Sequence, residues 1–348
     1  MIPETGSIIN INMKKMCFIA LSLMLAMASC TPITDDGADD SFKNSQTESE
    51  NQNGAGGDNP GNGDGEEEWP AETGSGETGG YKLVWQDLFN ADALDESVWN
   101  IEVNGDGGGN NELQYYRREN VSLAKDELSG RHCLVLTAKS ESYGGKSFTS
   151  GRINSKKKKA FKYGKIEAYV KLPKTADGLW PAFWLMGNDY DQVGWPRCGE
   201  IDILEMGNAE GIRKNTQDRY FNGACHWGYY KDFGNGNWAY PNYANAVTWN
   251  YSLQDGEFHL FTIIWDEQKI SMYADMDKHP EYGPYFEMNI TGKSDDWGVG
   301  YYFHHDFFIL FNLAVGGHFT GITKPGGITA LSSGEASMYV DYVKVYQK

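Results

Sequence analysis

Apolar and polar residues alternate strictly through positions 165–172. Ile166, Ala168, Val170 and Leu172 hold one parity, and Lys165, Glu167, Tyr169 and Lys171 hold the other. A period of two is the repeat of a strand with one buried face. Residues 258–274 read as two strands around the turn Asp266-Glu267-Gln268-Lys269. Residues 307–315 are almost continuously apolar, which suits a strand covered on both faces, and residues 338–346 form a last strand. Gly- and Asn-rich turns separate these segments, no long stripe of period 3.6 appears, and no internal repeat is found. The pattern predicts an all-β chain, an antiparallel sandwich forming one domain over residues 81–348.

The first 80 residues have a different character. Lys14-Lys15, an apolar run from Cys17 to Ala28, and Met27-Ala28-Ser29-Cys30 read as a secretory leader over residues 1–30, with Met13 a suitable start. The run is too short to remain as a membrane span. It resembles a bacterial lipoprotein signal, which makes Cys30 the expected lipidated residue. Residues 31–80 contain 13 Asp or Glu against one Lys, with Gly, Asn, Ser and Thr filling the rest. Such a stretch buries too little surface to offset its ordering entropy and is expected to be a flexible tether. Acidic residues soon after the cysteine resemble the export signal of surface lipoproteins. The expected location is therefore the cell surface of a Gram-negative bacterium, through an outer-membrane anchor.

The tether supplies most of the net charge of −18. No broad basic face remains, so a nucleic-acid partner is excluded. The one basic run, Lys156 to Lys159, reads as a solvated loop or edge. Cys133, Cys198 and Cys225 lack metal-ligand spacing, and their disulfide state is left open by the sequence. His304 and His305 are adjacent, so on a strand they face opposite ways and form no metal site.

The chemistry concentrates in Trp195-Pro196-Arg197-Cys198-Gly199-Glu200-Ile201-Asp202-Ile203-Leu204-Glu205-Met206-Gly207. On a strand, Glu200 and Asp202 share a face, with Ile201 and Ile203 opposite. Glu205 has the wrong parity. It joins the acidic face only if an extra residue is accommodated near Ile203-Leu204, as a β-bulge. The two glutamates then lie four pleats apart, roughly 13 Å between Cα atoms. Side chains leaning together bring the carboxyl groups towards the ~5–5.5 Å that a retaining glycosidase uses. A wet polar strand face is the competing reading of this segment alone.

Further segments decide between them. The acid strand resembles that of glycoside hydrolase family 16 in its bulged, laminarinase-like form. Trp85-Gln86-Asp87-Leu88-Phe89-Asn90, Asn110-Asn111-Glu112-Leu113-Gln114-Tyr115-Tyr116, Ser150-Gly151-Arg152-Ile153, Gly178-Leu179-Trp180-Pro181-Ala182-Phe183-Trp184, Asn312-Leu313-Ala314-Val315-Gly316-Gly317 and Val340-Asp341-Tyr342-Val343-Lys344-Val345-Tyr346 resemble family motifs and occur in family order. The resemblance implies a two-sheet β-jelly-roll sandwich with a concave substrate cleft. It places Glu200 at the nucleophile position, Asp202 at the assisting acid and Glu205 at the acid/base. Trp180, Trp184 and Trp195 match cleft aromatics, and Asn111, Arg152, His226 and Asn312 match sugar-contacting positions. No cofactor is implied for catalysis. A structural calcium on the convex face, with Asp341 as a ligand, is implied.

The implied activity is endo-hydrolysis of β-1,3-containing glucans, mixed-linkage or laminarin-type, by a monomer whose partner is the polysaccharide. The alternatives are a family member acting on agar or carrageenan and a non-catalytic glucan-binding module; the two retained glutamates and the lack of basic cleft residues speak against them. Residues 208–222 and 241–249 are departures, expected as loops beside the cleft.

Overall fold

The computed structural model describes residues 80–348 apart from Asn235. The leader, Cys30 and all of the tether but Gly80 lie outside the described residues.

Two large sheets pack face to face. The outer, ten-stranded sheet runs Phe286–Asn289, Lys269–Ala274, His259–Trp265, Gly164–Lys171, Glu335–Gln347, His132–Lys139, Phe148–Ser150, Gln114–Tyr116, with Lys82–Asp87 and Val121–Lys125 paired beside this path. The second, eight-stranded sheet runs Asn242–Thr248, Tyr220–His226, Glu200–Met206, Leu179–Gly187, Phe307–Val315, Arg152–Asn154, Asn100–Ile101, and Ala160–Phe161 pairs with Phe307–Val315. The pairing is antiparallel except between Gln114–Tyr116 and Phe148–Ser150. This is the all-β, two-sheet jelly-roll sandwich that the sequence led us to expect.

Strand parity decides what fills the space between the sheets. From the first sheet Ile166, Ala168 and Val170 point inward, with Phe261, Ile263 and Trp265 from their neighbour. From the second come Phe183, Leu185, Phe307, Ile309, Phe311, Leu313 and Val315. Burying each large apolar side chain stabilises the fold by about 1.5–3 kcal/mol. The strand Phe307–Val315 is buried on both faces because its other parity, Phe308 and Leu310, packs into a second, smaller apolar cluster. That cluster also holds Ala182, Trp184, Met186 and Cys198.

The sequence misplaced three elements. Residues 242–248 are not a loop but a regular strand at the edge of the second sheet, paired in register from Asn242↔His226 to Thr248↔Tyr220. Its side chains are small or polar and mostly exposed, so no buried parity marked it as a strand. His304 and His305 lie in a bend just before Phe307, not on a strand. They still diverge: His304 meets the Tyr163 hydroxyl at 2.7 Å, and His305 meets the Cys198 carbonyl at 3.0 Å. The other expected loop contains a short helix, Ala209–Lys214, capped by Asn208 and closed by left-handed Asn215, and its last residues belong to the strand Tyr220–His226. Lys156 and Lys157 pair with Asp191, while Lys158 donates to the carbonyls of Glu96 and Trp99, so the basic run is a turn held by its neighbours. Cys133, Cys198 and Cys225 are buried free thiols.

Candidate active site

The acid strand Glu200–Met206 is an inner strand of the second sheet, between Leu179–Gly187 and Tyr220–His226. Its register slips on both sides. Against one neighbour the pairs run Trp184↔Asp202, then Phe183↔Leu204, and against the other Asp202↔Ala224, then Glu205↔Asn222. The extra residue is at Ile203-Leu204, where the sequence required it. Ile201 and Ile203 point into the core, and so do Leu204 and Met206. Two consecutive inward side chains reset the parity, and Glu200, Asp202 and Glu205 all reach the opposite face.

Two neighbours hold the bulge. The Tyr285 hydroxyl donates to the Ile203 carbonyl, at the slipped register. Gly223 faces it across the strand pair. A Cβ there would come within 2.6 Å of Met272 Sδ and 3.0 Å of the Tyr285 ring.

Each acid has distinct company. Glu205 is buried, and both its oxygens are bonded: Trp180 Nε1 donates to Oε1 at 3.1 Å and Asn222 Nδ2 to Oε2 at 2.8 Å. Asp202 is buried with Oδ2 lacking a hydrogen-bond partner, and His226 Nε2 lies 3.4 Å from it. The same imidazole nitrogen lies 3.9 Å from Glu200 Oε1. Burial raises the pKa of all three carboxyls. Asp202 adds to the rise at Glu200 and Glu205, whereas His226 opposes it at both, Arg152 opposes it at Glu200, and the Asn222 and Trp180 bonds oppose it at Glu205. Acids withdrawn from water, with Asp202 repelling both glutamates, retain a proton more readily than isolated ones, which a general acid requires.

The ligating atoms of Glu200, Asp202 and His226 lie within 4.8 Å of one another, so these residues form a group able to hold a metal ion. Asp341, by contrast, is on the outer sheet at a register slip, and its carboxylate accepts from Arg131 Nη1 at 2.5 Å. Arg131 engages Oδ2 alone, so a calcium bound at Asp341 would share this carboxylate with the guanidinium.

The remaining expected site residues gather in part. Trp184 is buried in the small apolar cluster, donates from Nε1 to Asn312 Oδ1 at 2.7 Å, and lies under the Arg152 guanidinium, 4.9 Å from ring centroid to Cζ. Arg152 is fixed by Glu102 at 2.9 Å. Trp195 is half-buried beside His226, with ring centroids 6.2 Å apart. Asn111 is exposed and meets His318 Nε2 at 2.7 Å; no contact between it and the acids is seen among the described residues.

Sequence reasoning missed several partners. Asn222 shares strand parity with His226, so the placement of His226 would have found it. Phe319 stacks on Trp180 at 4.5 Å and 12°, and its carbonyl accepts from Ala209 N, which ties the short helix to this end of the site. Tyr240, one residue before the segment expected to be loop, packs edge-on against Trp195 at 4.8 Å. No local signal in the sequence pointed to Phe319 or Tyr240.

Comparison with known proteins places this arrangement. The family description "Glycosyl hydrolases family 16" matches residues 109–288. A solved family 16 structure described as Bacteroides ovatus mixed linkage glucan PUL, in complex with a G4G4G3G product, is 41% identical, covers 76% of this chain and 100% of its own, and superposes with a TM-score of 0.64. Clotting factor G alpha subunit of Tachypleus tridentatus is 34% identical over 270 residues, 77% of this chain and 34% of its own length. Glucan endo-1,3-beta-glucosidase A1 of Niallia circulans is 32% identical over 301 residues, 77% of this chain and 38% of its own. The chain thus spans only about a third of the length of these two curated relatives. With the jelly-roll sandwich and a bulged acid strand in its second sheet, the chain belongs to glycoside hydrolase family 16.

Proposed function

We propose that this protein is an endo-acting β-glucanase that cleaves β-1,3-containing glucans with retention of configuration. The observation that carries the reading is the bulge at Ile203-Leu204, which brings Glu200 and Glu205 to one face of one strand. Glu200 attacks the anomeric carbon and forms a glycosyl-enzyme. Glu205 protonates the leaving oxygen, then takes a proton from the water that releases the sugar. Asp202, between them, couples their titrations and keeps a proton available. His226 sits against Glu200 and Asp202 and orients both. Trp180 and Asn222 aim the Glu205 carboxyl, and Trp195, beside His226, offers a ring to a glucose face.

Mixed-linkage and pure β-1,3-glucans are the proposed substrates. The reading is supported by relatives whose names specify a mixed-linkage glucan product complex and a 1,3-β-glucosidase. A β-1,3 chain curves and so suits a concave sheet. Surface display through a lipidated Cys30 belongs to the same proposal and rests on leader residues alone.

A panel of purified polysaccharides with reducing-end detection tests the substrate. Cereal mixed-linkage β-glucan and laminarin are expected to be cut, with viscosity falling faster than reducing ends appear, and cellulose, agarose and carrageenan to be left intact. Cleavage of agarose or carrageenan with neither glucan touched would overturn the reading.

A further inference from the structure

A two-stranded hairpin, Lys231–Asp232 with Trp238–Ala239, stands apart from both large sheets. Its register, Asp232↔Trp238 and Lys231↔Ala239, continues to Tyr230 opposite Tyr240, whose rings are 5.1 Å apart. Alternation then gives the hairpin two faces. Lys231 and Phe233 share one face, and both pack on Trp297, at 5.3 and 5.4 Å. That contact anchors the hairpin to the body of the protein. Tyr230, Asp232, Trp238 and Tyr240 share the other face. On that face Tyr240 meets Trp195 at 4.8 Å and His226 at 5.7 Å, and Tyr230 meets Trp195 at 6.0 Å.

The row of touching rings therefore starts at the histidine beside Glu200 and Asp202 and passes through Trp195 to Tyr240 and Tyr230; Trp238 lies farther along the same face of the hairpin. Trp238 is 61% exposed and has no ring or hydrogen-bond partner among the described residues. A large flat ring with a free N–H, carried by a braced hairpin on the same face as Tyr240, is suited to receive a flat apolar surface with polar edges. A pyranose offers such a surface on its C–H face, and Asp232, the register partner of Trp238, accepts from Gly234 N at Oδ1 (2.8 Å) and has Oδ2 left to accept from a sugar hydroxyl.

We propose that Trp238 is a sugar platform for a part of the glucan chain remote from the scissile bond, so that the hairpin favours long substrates over short ones. This rests on the glucanase reading and specifies its preference for chain length. Binding energy from such a distant unit holds the chain and helps position the reacting sugar.

The test compares the wild type with Trp238→Ala and Trp238→Tyr on two substrates: cereal mixed-linkage β-glucan and a chromogenic aryl glycoside of a short β-glucan oligosaccharide. The ratio of kcat/KM for polymer to kcat/KM for the short glycoside is expected to fall roughly tenfold in Trp238→Ala, the loss expected for one stacking ring. Trp238→Tyr should keep most of the ratio. Because Trp238 is exposed, melting temperatures should match the wild type, which separates a binding effect from misfolding. An unchanged ratio in Trp238→Ala, with wild type cutting the polymer, overturns the platform and leaves the glucanase reading standing. Wild-type protein that cuts no β-glucan overturns both. A concentration-dependent dimer abolished by Trp238→Ala, with the ratio unchanged, would assign the exposed ring to self-association and overturn the platform.

Discussion

Asn222 Nδ2 donates to Glu205 Oε2 at 2.8 Å, and it does so across a strand pair whose register has slipped by one residue. The bond favours the ionised form of Glu205, against burial and Asp202, which raise its pKa. Asn222→Ala removes a lowering influence, so the pKa of Glu205 rises. In the free enzyme the basic limb of the pH profile of kcat/KM reports loss of the proton from the general acid. That limb should therefore move to higher pH in Asn222→Ala, while the maximum rate falls because the carboxyl is no longer aimed. Steady-state kinetics over a pH series check this, and a basic limb that moves downward would contradict the acid assignment of Glu205.

The roles of the two glutamates separate with an activated substrate. Glu200→Ala should leave no measurable hydrolysis of a natural glucan. Glu205→Ala should lose about 10²- to 10⁴-fold on the same glucan, the usual contribution of a general acid. With an aryl glycoside that needs no protonation, Glu205→Ala should still form the glycosyl-enzyme, and azide should release it as the β-glycosyl azide. Proton NMR of early wild-type products should show the β anomer first.

The buried acids also predict a gain in stability at a loss of activity. Burial raises the pKa of Glu200 in the fold above its unfolded value. A carboxyl of this kind is bound to its proton more tightly when folded, so stability is fully present below the unfolded pKa, near 4.3, and declines as pH rises through the folded pKa. Glu200→Gln removes that decline. Its melting temperature should exceed that of the wild type at pH 7 and above, by the equivalent of about 1–2 kcal/mol, and the gain should vanish below about pH 4. Calorimetry at several pH values measures it.

Gly223 gives a structural test of the bulge. Gly223→Val would push a branched side chain towards Met272 and Tyr285, the residue that bonds the bulge carbonyl. Overpacking of a filled interior costs about 1–3 kcal/mol. The variant should melt earlier and lose activity together. A conservative change on the outer sheet that costs the same stability should leave activity intact, which distinguishes damage to the acid face from general destabilisation.

The two sheets were legible wherever one parity is apolar, as in 165–172, because burial writes itself into the sequence every second residue. The acid strand was legible through its violation of that rule: Glu205 sits on the wrong parity, and the bulge is the physical remedy. The edge strand Asn242–Thr248 was not legible, since its exposed side chains leave no apolar parity. Tyr240 and Phe319 were not legible either. Their places against Trp195 and Trp180 depend on how distant segments fold back over the sheet, and no spacing within one segment records that.

The paired inward residues Ile203 and Leu204 also change how this strand tolerates deletions in its gene. In an ordinary strand, deleting one residue turns every side chain beyond it to the other face. Here, deleting Leu204 would restore strict alternation, and the acid of position 205 would still face Glu200 and Asp202 from the same side. The damage would be confined to one missing core side chain and the loss of the bulge that Tyr285 and Gly223 are shaped to fit. A single codon therefore separates two strand lengths that present the same row of carboxylates, whereas a deletion at Ile201 would divide Glu200 from the acids that follow it.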